Sequence, residues 1–196
     1  MLIGLLGKKR VGKDTVAEYL IKKYNFIRYA FADPIKEIAK IMFNFSDEQL
    51  YGNQKEIIDP RWGISPRNFF QKFGTEMTQY DIYKHFPQLR EKIPPREMWV
   101  VIFQEWYRKK VEENPNIRVV ISDVRFIHEL NRIKELDGII IRIIRPDIEL
   151  KNQNETHLSE IENQDVVFDM IDFTIINNSE IKSYHNKIDK IMKYLL

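Results

Sequence analysis

The chain has 196 residues, 31 basic against 29 acidic for a net charge of +2, and no cysteine. That length suits one well-buried domain, and the near balance of charge gives no broad electrostatic case for nucleic acid or an anionic membrane. The missing thiols exclude disulfides, thiolate metal sites and a cysteine nucleophile. No stretch approaches the roughly 20 apolar residues that span a bilayer, and the N-terminal apolar run lacks the basic flank of a signal peptide, so a cytoplasmic location is expected.

Met1 to Leu6 reads as a short buried strand, and it runs into Gly7-Lys8-Lys9-Arg10-Val11-Gly12-Lys13-Asp14-Thr15. The spacing Gly-x4-Gly-Lys between a strand and a helix is that of a phosphate cradle. Glycines let the backbone wrap an anion, turn N–H groups point inward, and the positive end of the following helix favours negative charge. Gly7, Lys9, Arg10, Val11, Gly12, Lys13, Asp14 and Thr15 form the expected nucleotide-phosphate site, with Lys13 reaching the β and γ phosphates. Val16, Ala17, Leu20, Ile21 and Tyr24 share one helical face, and Phe26 to Phe31 is dense in strand formers. Asp33-Pro34 supplies a cap and a first-turn proline for a helix carrying Ile35, Ile38, Ala39 and Met42.

From Asn44 to about Pro66 the pattern breaks into Gly, Asn, Asp and Pro with isolated aromatics, which predicts a loop or insertion outside the core. Ser65-Pro66 restarts a helix with Phe69, Phe70, Phe73 and Met77, and Pro94-Pro95 precedes one with Met98, Trp99, Ile102 and Trp106. Ile117 to Ile121, Ile139 to Ile144 and Phe173 to Ile176 read as further strands. Helices follow with Phe126, Ile127, Leu130 and Ile133, and with Ile181, Tyr184, Ile188, Ile191 and Leu195. Apolar strands alternating with helices predict a parallel sheet covered on both faces, a three-layer α/β/α core.

In such a sheet ligands gather beyond the carboxyl ends of the strands, where three polar clusters fall. Arg10 would lean on a transferring phosphoryl group, or Lys8 to Arg10 would only raise affinity for the anion. Asp123 and Arg125 follow a strand; the carboxylate suits magnesium and the guanidinium suits a bidentate phosphate contact, with a local ion pair as the plainer alternative. Arg142 to Arg145 end the next strand, either closing over phosphates or simply solvated. Asp14 stands where such loops commonly carry Ser or Thr, so Asp14 or Thr15 would serve the metal together with Asp123. The histidines show no metal-ligand spacing. His157-Leu158-Ser159-Glu160 is too local for a catalytic triad and is assigned to a lid-side loop.

Taken in order, these stretches resemble the deoxynucleoside monophosphate kinases of phages and large DNA viruses, within the P-loop kinases. The resemblance rests on Gly7 to Thr15, Tyr29 to Lys36, Ser65-Pro66-Arg67 through Gln71 to Gly74-Thr75-Glu76, and Met98-Trp99-Val100. It continues through Asp123 to Phe126 with His128-Glu129, Ile143 to Pro146, Thr156 to Glu160 and Ile175 to Ser179. Asn44 to Ser65 matches least and looks short. The resemblance implies a single P-loop kinase domain over 1–196, with a core of 1–43, 112–145 and 170–196, a helical substrate region over about 44–111 and a lid-like segment over about 146–169. It implies transfer of the γ-phosphoryl of ATP, with Mg2+, to a deoxynucleoside monophosphate. Lys13, Arg10, Arg125 and Arg145 would be catalytic. Asp33, Lys36, Arg67, Gln71, Gly74, Thr75, Trp99, Asp123, Arg125 and Glu129 would face the acceptor. Trp99 would stack on the base, or sit in the core as an ordinary apolar-face residue. Two alternatives stay open: an enzyme like the phosphomevalonate kinases, which share the Gly-Lys-Asp motif, and a regulatory protein that binds nucleotide without turnover. Partners are expected to be small molecules, and homodimerisation is left open.

Overall fold

The protein is described by a computed structural model, which covers residues 1–151 and 168–196. The chain divides into two compact units, Met1–Ala30 with Trp106–Leu196, and Phe31–Glu105.

The first unit is built on five strands: β1 (Leu2–Leu6), β2 (Ile27–Tyr29), β3 (Val119–Val124), β4 (Ile139–Ile144) and β5 (Phe173–Ile176). All pair in parallel in the order β2-β3-β1-β4-β5. β1 is central, and its Leu2, Ile3 and Leu5 are almost fully buried, as expected for a strand covered on both faces. Helix α1 (Lys13–Tyr24) covers it with Val16, Ala17 and Leu20 and ends on Asn25, which takes the left-handed conformation at φ 57. The C-terminal helix, Ile181–Leu195, buries Tyr184, Ile188 and Met192 at four-residue spacing beside Ile141, Ile143 and Ile175. Tyr19, Tyr24 and Lys23 of α1 all bond to Asp189, which ties these two helices together at a partly exposed edge. Helix Ile127–Glu135 follows β3, and Pro146–Lys151 follows β4. With helices flanking the all-parallel sheet, this is the P-loop type of α/β/α architecture.

The second unit is helical. Its first helix, α2 (Asp33–Phe43), has Ala32 as its cap, so Asp33 and Pro34 occupy the first turn; Met42 is exposed, not part of the buried stripe expected for it. The Asn44 to Pro66 stretch departs most from the sequence expectation. Phe45 and Leu50 are almost fully buried and form a core with Ala39 and Phe69. Phe43 packs on Phe45, Trp62 and Phe69 at centroid distances of 5.3, 5.5 and 5.0 Å. A polar hub holds this segment: the Asp59 carboxylate accepts from Arg61 Nη2 at 2.7 Å and from Gln49 Nε2 at 2.8 Å, which holds its carboxyl well below the usual carboxylate range. Beyond it, Pro66–Gln71 is α-helical and continues as a ten-residue π-helix, Lys72–Asp81. Helix Met98–Glu113 buries Met98, Trp99, Val100 and Phe103. Among the described residues no helix is long and apolar enough to cross a membrane.

Candidate active site

β1 is flanked by β3 on one side and β4 on the other, so its carboxyl end is where the strand order reverses and where a ligand crevice is expected. The glycine loop leaves β1 at that point. Gly7 and Gly12 adopt φ of 152 and 107, and a Cβ on either would come within 2.5 Å of Ile143 O or 2.6 Å of Asn177 Nδ2. Only glycine fits such positions without moving backbone. Gly12 caps α1 and brings no side chain of its own to the first-turn N–H groups, which lie at the positive end of the helix. Lys13 Nζ folds over the loop and donates to Gly7 O at 2.6 Å and Lys8 O at 2.8 Å. Arg10 is exposed at the tip with φ 67, and Lys9 beside it is exposed too. The nest of N–H groups ringed by cations can hold a polyphosphate.

Two supports of this loop were not legible in the sequence. Asn177 Nδ2 donates to Val11 O at 2.8 Å, and the Tyr184 hydroxyl donates to Gly12 O at 3.2 Å. Burial pushes the Tyr184 hydroxyl well above its ordinary value, so it stays a donor. Both side chains, with Thr15, Arg145 and Asp147, line a cavity of about 600 Å3. A polar Asn-Asn-Ser just beyond a strand's carboxyl end was the available signal for Asn177; Tyr184 had none beyond its apolar stripe.

β3 runs through Ser122 and Asp123, further than its apolar run suggested. Its register against β1 shifts there: Gly4 faces Ile121 and Leu6 faces Val124, so β3 carries one extra residue next to the loop. Such bulges re-aim side chains near functional sites, and Asp123 lies within this one. Ser122 is buried and accepts from Arg28 Nε at 3.1 Å. Arg125 is exposed. Glu129, expected to face the acceptor, is instead 5% exposed, and its Oε2 accepts the N–H of Arg125 at 2.7 Å and of Phe126 at 3.0 Å. Desolvation pushes its carboxyl up to about 8, against the downward pull of those two N–H bonds.

The remaining acceptor-side residues lie in the second unit. Lys36 Nζ is 4.0 Å from Asp33 Oδ1 and 4.2 Å from the Tyr51 ring centroid. Arg67 Nε reaches Glu56 Oε1 at 3.4 Å, and Gln71 and Thr75 are exposed. Trp99 is 6% exposed and donates its indole N–H to Gly74 O at 2.7 Å, which realises the core alternative and leaves little ring to stack on a base. The His157 to Glu160 stretch and most of the lid-like segment lie outside the described residues.

Asp14, Thr15 and Asp123 offer only hard oxygen donors, which suits Mg2+. Among the described residues no three His, Cys, Asp or Glu side chains converge on a metal position.

Comparison with known proteins agrees with this geometry. The deoxynucleotide monophosphate kinase family model matches residues 1–59 and 47–188. An Acanthamoeba polyphaga mimivirus protein, provisionally named a deoxynucleotide monophosphate kinase, is 41% identical over 191 residues, covering 96% of this chain and 94% of its own. The deoxynucleoside-5'-monophosphate kinase of Escherichia phage T5 is 24% identical, covering 94% and 95%. The solved structure of TT1252 from Thermus thermophilus shares the fold at a TM-score of 0.51 and 14% identity, covering 100% of this chain and 98% of that one. With its phosphate loop, parallel sheet and sequence likeness along nearly the whole length, the chain belongs to the deoxynucleotide monophosphate kinase family.

Proposed function

We propose that the protein transfers the γ-phosphoryl group of ATP to the 5'-phosphate of a deoxynucleoside monophosphate, giving the diphosphate and ADP. The observation that carries this reading is the glycine-capped N-terminus of α1 beneath a two-glycine loop, with Lys13 folded over it. The donor's phosphates would lie on the N–H groups of Gly12 to Thr15, and its nucleoside would fill the cavity lined by Thr15, Arg145, Asn177 and Tyr184. Asp14 or Thr15, with Asp123, would hold Mg2+, which supplies charge neutralisation on the phosphate oxygens.

An acceptor phosphate oxygen attacks the γ phosphorus as the bond from that phosphorus to the ADP oxygen breaks. The attacking oxygen is already anionic, so no general base is required. This chain's share is therefore positioning and charge: Lys13 on the β and γ oxygens, Arg10 and Arg145 as candidates for the transferring group, Arg125 toward the acceptor phosphate. Asp33, Lys36, Arg67, Gln71, Gly74 and Thr75 are carried over from the resemblance as acceptor-facing. Trp99 and Glu129 are better read as supports, because both are buried and hydrogen-bonded to backbone.

The test is ADP release from ATP and Mg2+ with each deoxynucleoside and ribonucleoside monophosphate offered singly, with phosphomevalonate as control. Turnover that requires a deoxynucleoside monophosphate is expected. Turnover only with phosphomevalonate, or ATP binding with no acceptor dependence, would overturn the proposal.

A further inference from the structure

The phosphate loop and the cavity beside it share two side chains. Asn177 Nδ2 and the Tyr184 hydroxyl hold the carbonyls of Val11 and Gly12, the two residues that precede Lys13, and both side chains also form the cavity wall. Both are themselves fixed. The Asn177 N–H donates to Ile144 O at 2.7 Å, which anchors it to β4, and Tyr184 is 1% exposed on the buried face of the C-terminal helix. The fit against the loop is close: a Cβ on Gly12 would lie 2.6 Å from Asn177 Nδ2 and 3.1 Å from the Tyr184 oxygen. A ligand group pressed into the cavity thus bears on the same two side chains that hold the loop.

We propose that Asn177 and Tyr184 are positioning residues that couple filling of the cavity to the phosphate-holding geometry of the loop. This rests on the reading that the donor's nucleoside enters the cavity. Binding energy from the non-reacting end of the donor is then expressed as alignment of its phosphates, the use of remote contacts that raises turnover and not merely affinity. A side chain that only lined the cavity would change nucleoside affinity alone. One that only packed the core would change stability alone. Tyr184→Phe keeps the ring and deletes the hydroxyl, and Asn177→Leu keeps the bulk and deletes the donor.

The experiment splits the donor in two and measures the dissociation constant of tripolyphosphate by calorimetry, with and without saturating adenosine. In the wild-type protein adenosine should tighten tripolyphosphate binding by about fivefold, within the usual range of site-to-site coupling. In Tyr184→Phe and Asn177→Leu the factor, measured at saturating adenosine for each variant, should fall to about one. A factor retained in both variants, or no coupling in the folded wild-type protein, would overturn the proposal. Wild-type turnover on ATP and deoxynucleoside monophosphates is measured in parallel. Active wild-type enzyme without coupling rejects only the link, whereas absence of turnover rejects the functional reading.

Discussion

Glu129 holds the backbone N–H of Arg125 at 2.7 Å through Oε2, and the same oxygen takes the N–H of Phe126 at 3.0 Å. The turn that presents Arg125 at the end of β3 is therefore fixed by a buried carboxyl in the first turn of helix Ile127–Glu135. A glutamate four residues after an exposed arginine would ordinarily be read as its ion-pair partner; here it bonds to the backbone.

That bond carries a pH signature. Burial raises the Glu129 carboxyl from an ordinary 4.5 to about 8. Between those values the folded chain keeps a proton that the unfolded chain gives up, so this contribution to stability is complete below about 4.5 and is lost as pH rises through about 8. Glu129→Gln keeps an acceptor oxygen and does not titrate. Thermal midpoints at pH 5 and pH 8 should show wild type losing stability relative to the variant on going to pH 8. Parallel changes in the two proteins would contradict the assignment.

Gly12→Ala tests the loop's backbone. Its φ of 107 strains any side chain, and the added Cβ meets Asn177 Nδ2 at 2.6 Å. A cost of roughly 1–3 kcal/mol is expected from the conformation. Because it falls on the phosphate-holding turn, ATP affinity should drop by about tenfold or more at unchanged secondary structure. Titration of ATP against the folded variant measures this, and wild-type affinity would count against the loop's role.

Trp99→Phe distinguishes a support from a substrate contact. Removing the indole N–H leaves the carbonyl of Gly74 without its buried donor, at about 1–3 kcal/mol of stability. Denaturant unfolding should register that loss, while KM for the acceptor changes by less than about threefold, below 0.7 kcal/mol. A large rise in KM with unaltered stability would restore the base-stacking role.

Much of the scaffold was written locally. Ile139 to Ile144 and Phe173 to Ile176 are strands with those bounds, and Ile181 to Leu195 is a helix, because apolar runs and four-residue spacing report burial directly. The same holds for Gly7 to Lys13, where residue type and spacing dictate backbone shape. What escaped depends on distant partners. Phe45 and Leu50 sit among turn-forming residues and become core only because Ala39 and Phe69 arrive from separate helices. Asp59 becomes a hub through Gln49, ten residues away. Tyr184 reads as one more apolar-face residue until the parallel sheet brings the C-terminal helix to the start of α1, 172 residues away in sequence. No local pattern encodes that meeting.

The central claim is tested most directly by following the label from γ-32P-labelled ATP in the presence of Mg2+ and each deoxynucleoside monophosphate, in wild type and in Lys13→Ala. The label should appear in a deoxynucleoside diphosphate with wild-type enzyme, and the rate should fall about a thousandfold or more with Lys13→Ala, the scale set by losing a main phosphate-stabilising charge. Label released only as inorganic phosphate, or transferred normally by folded Lys13→Ala, would contradict the account.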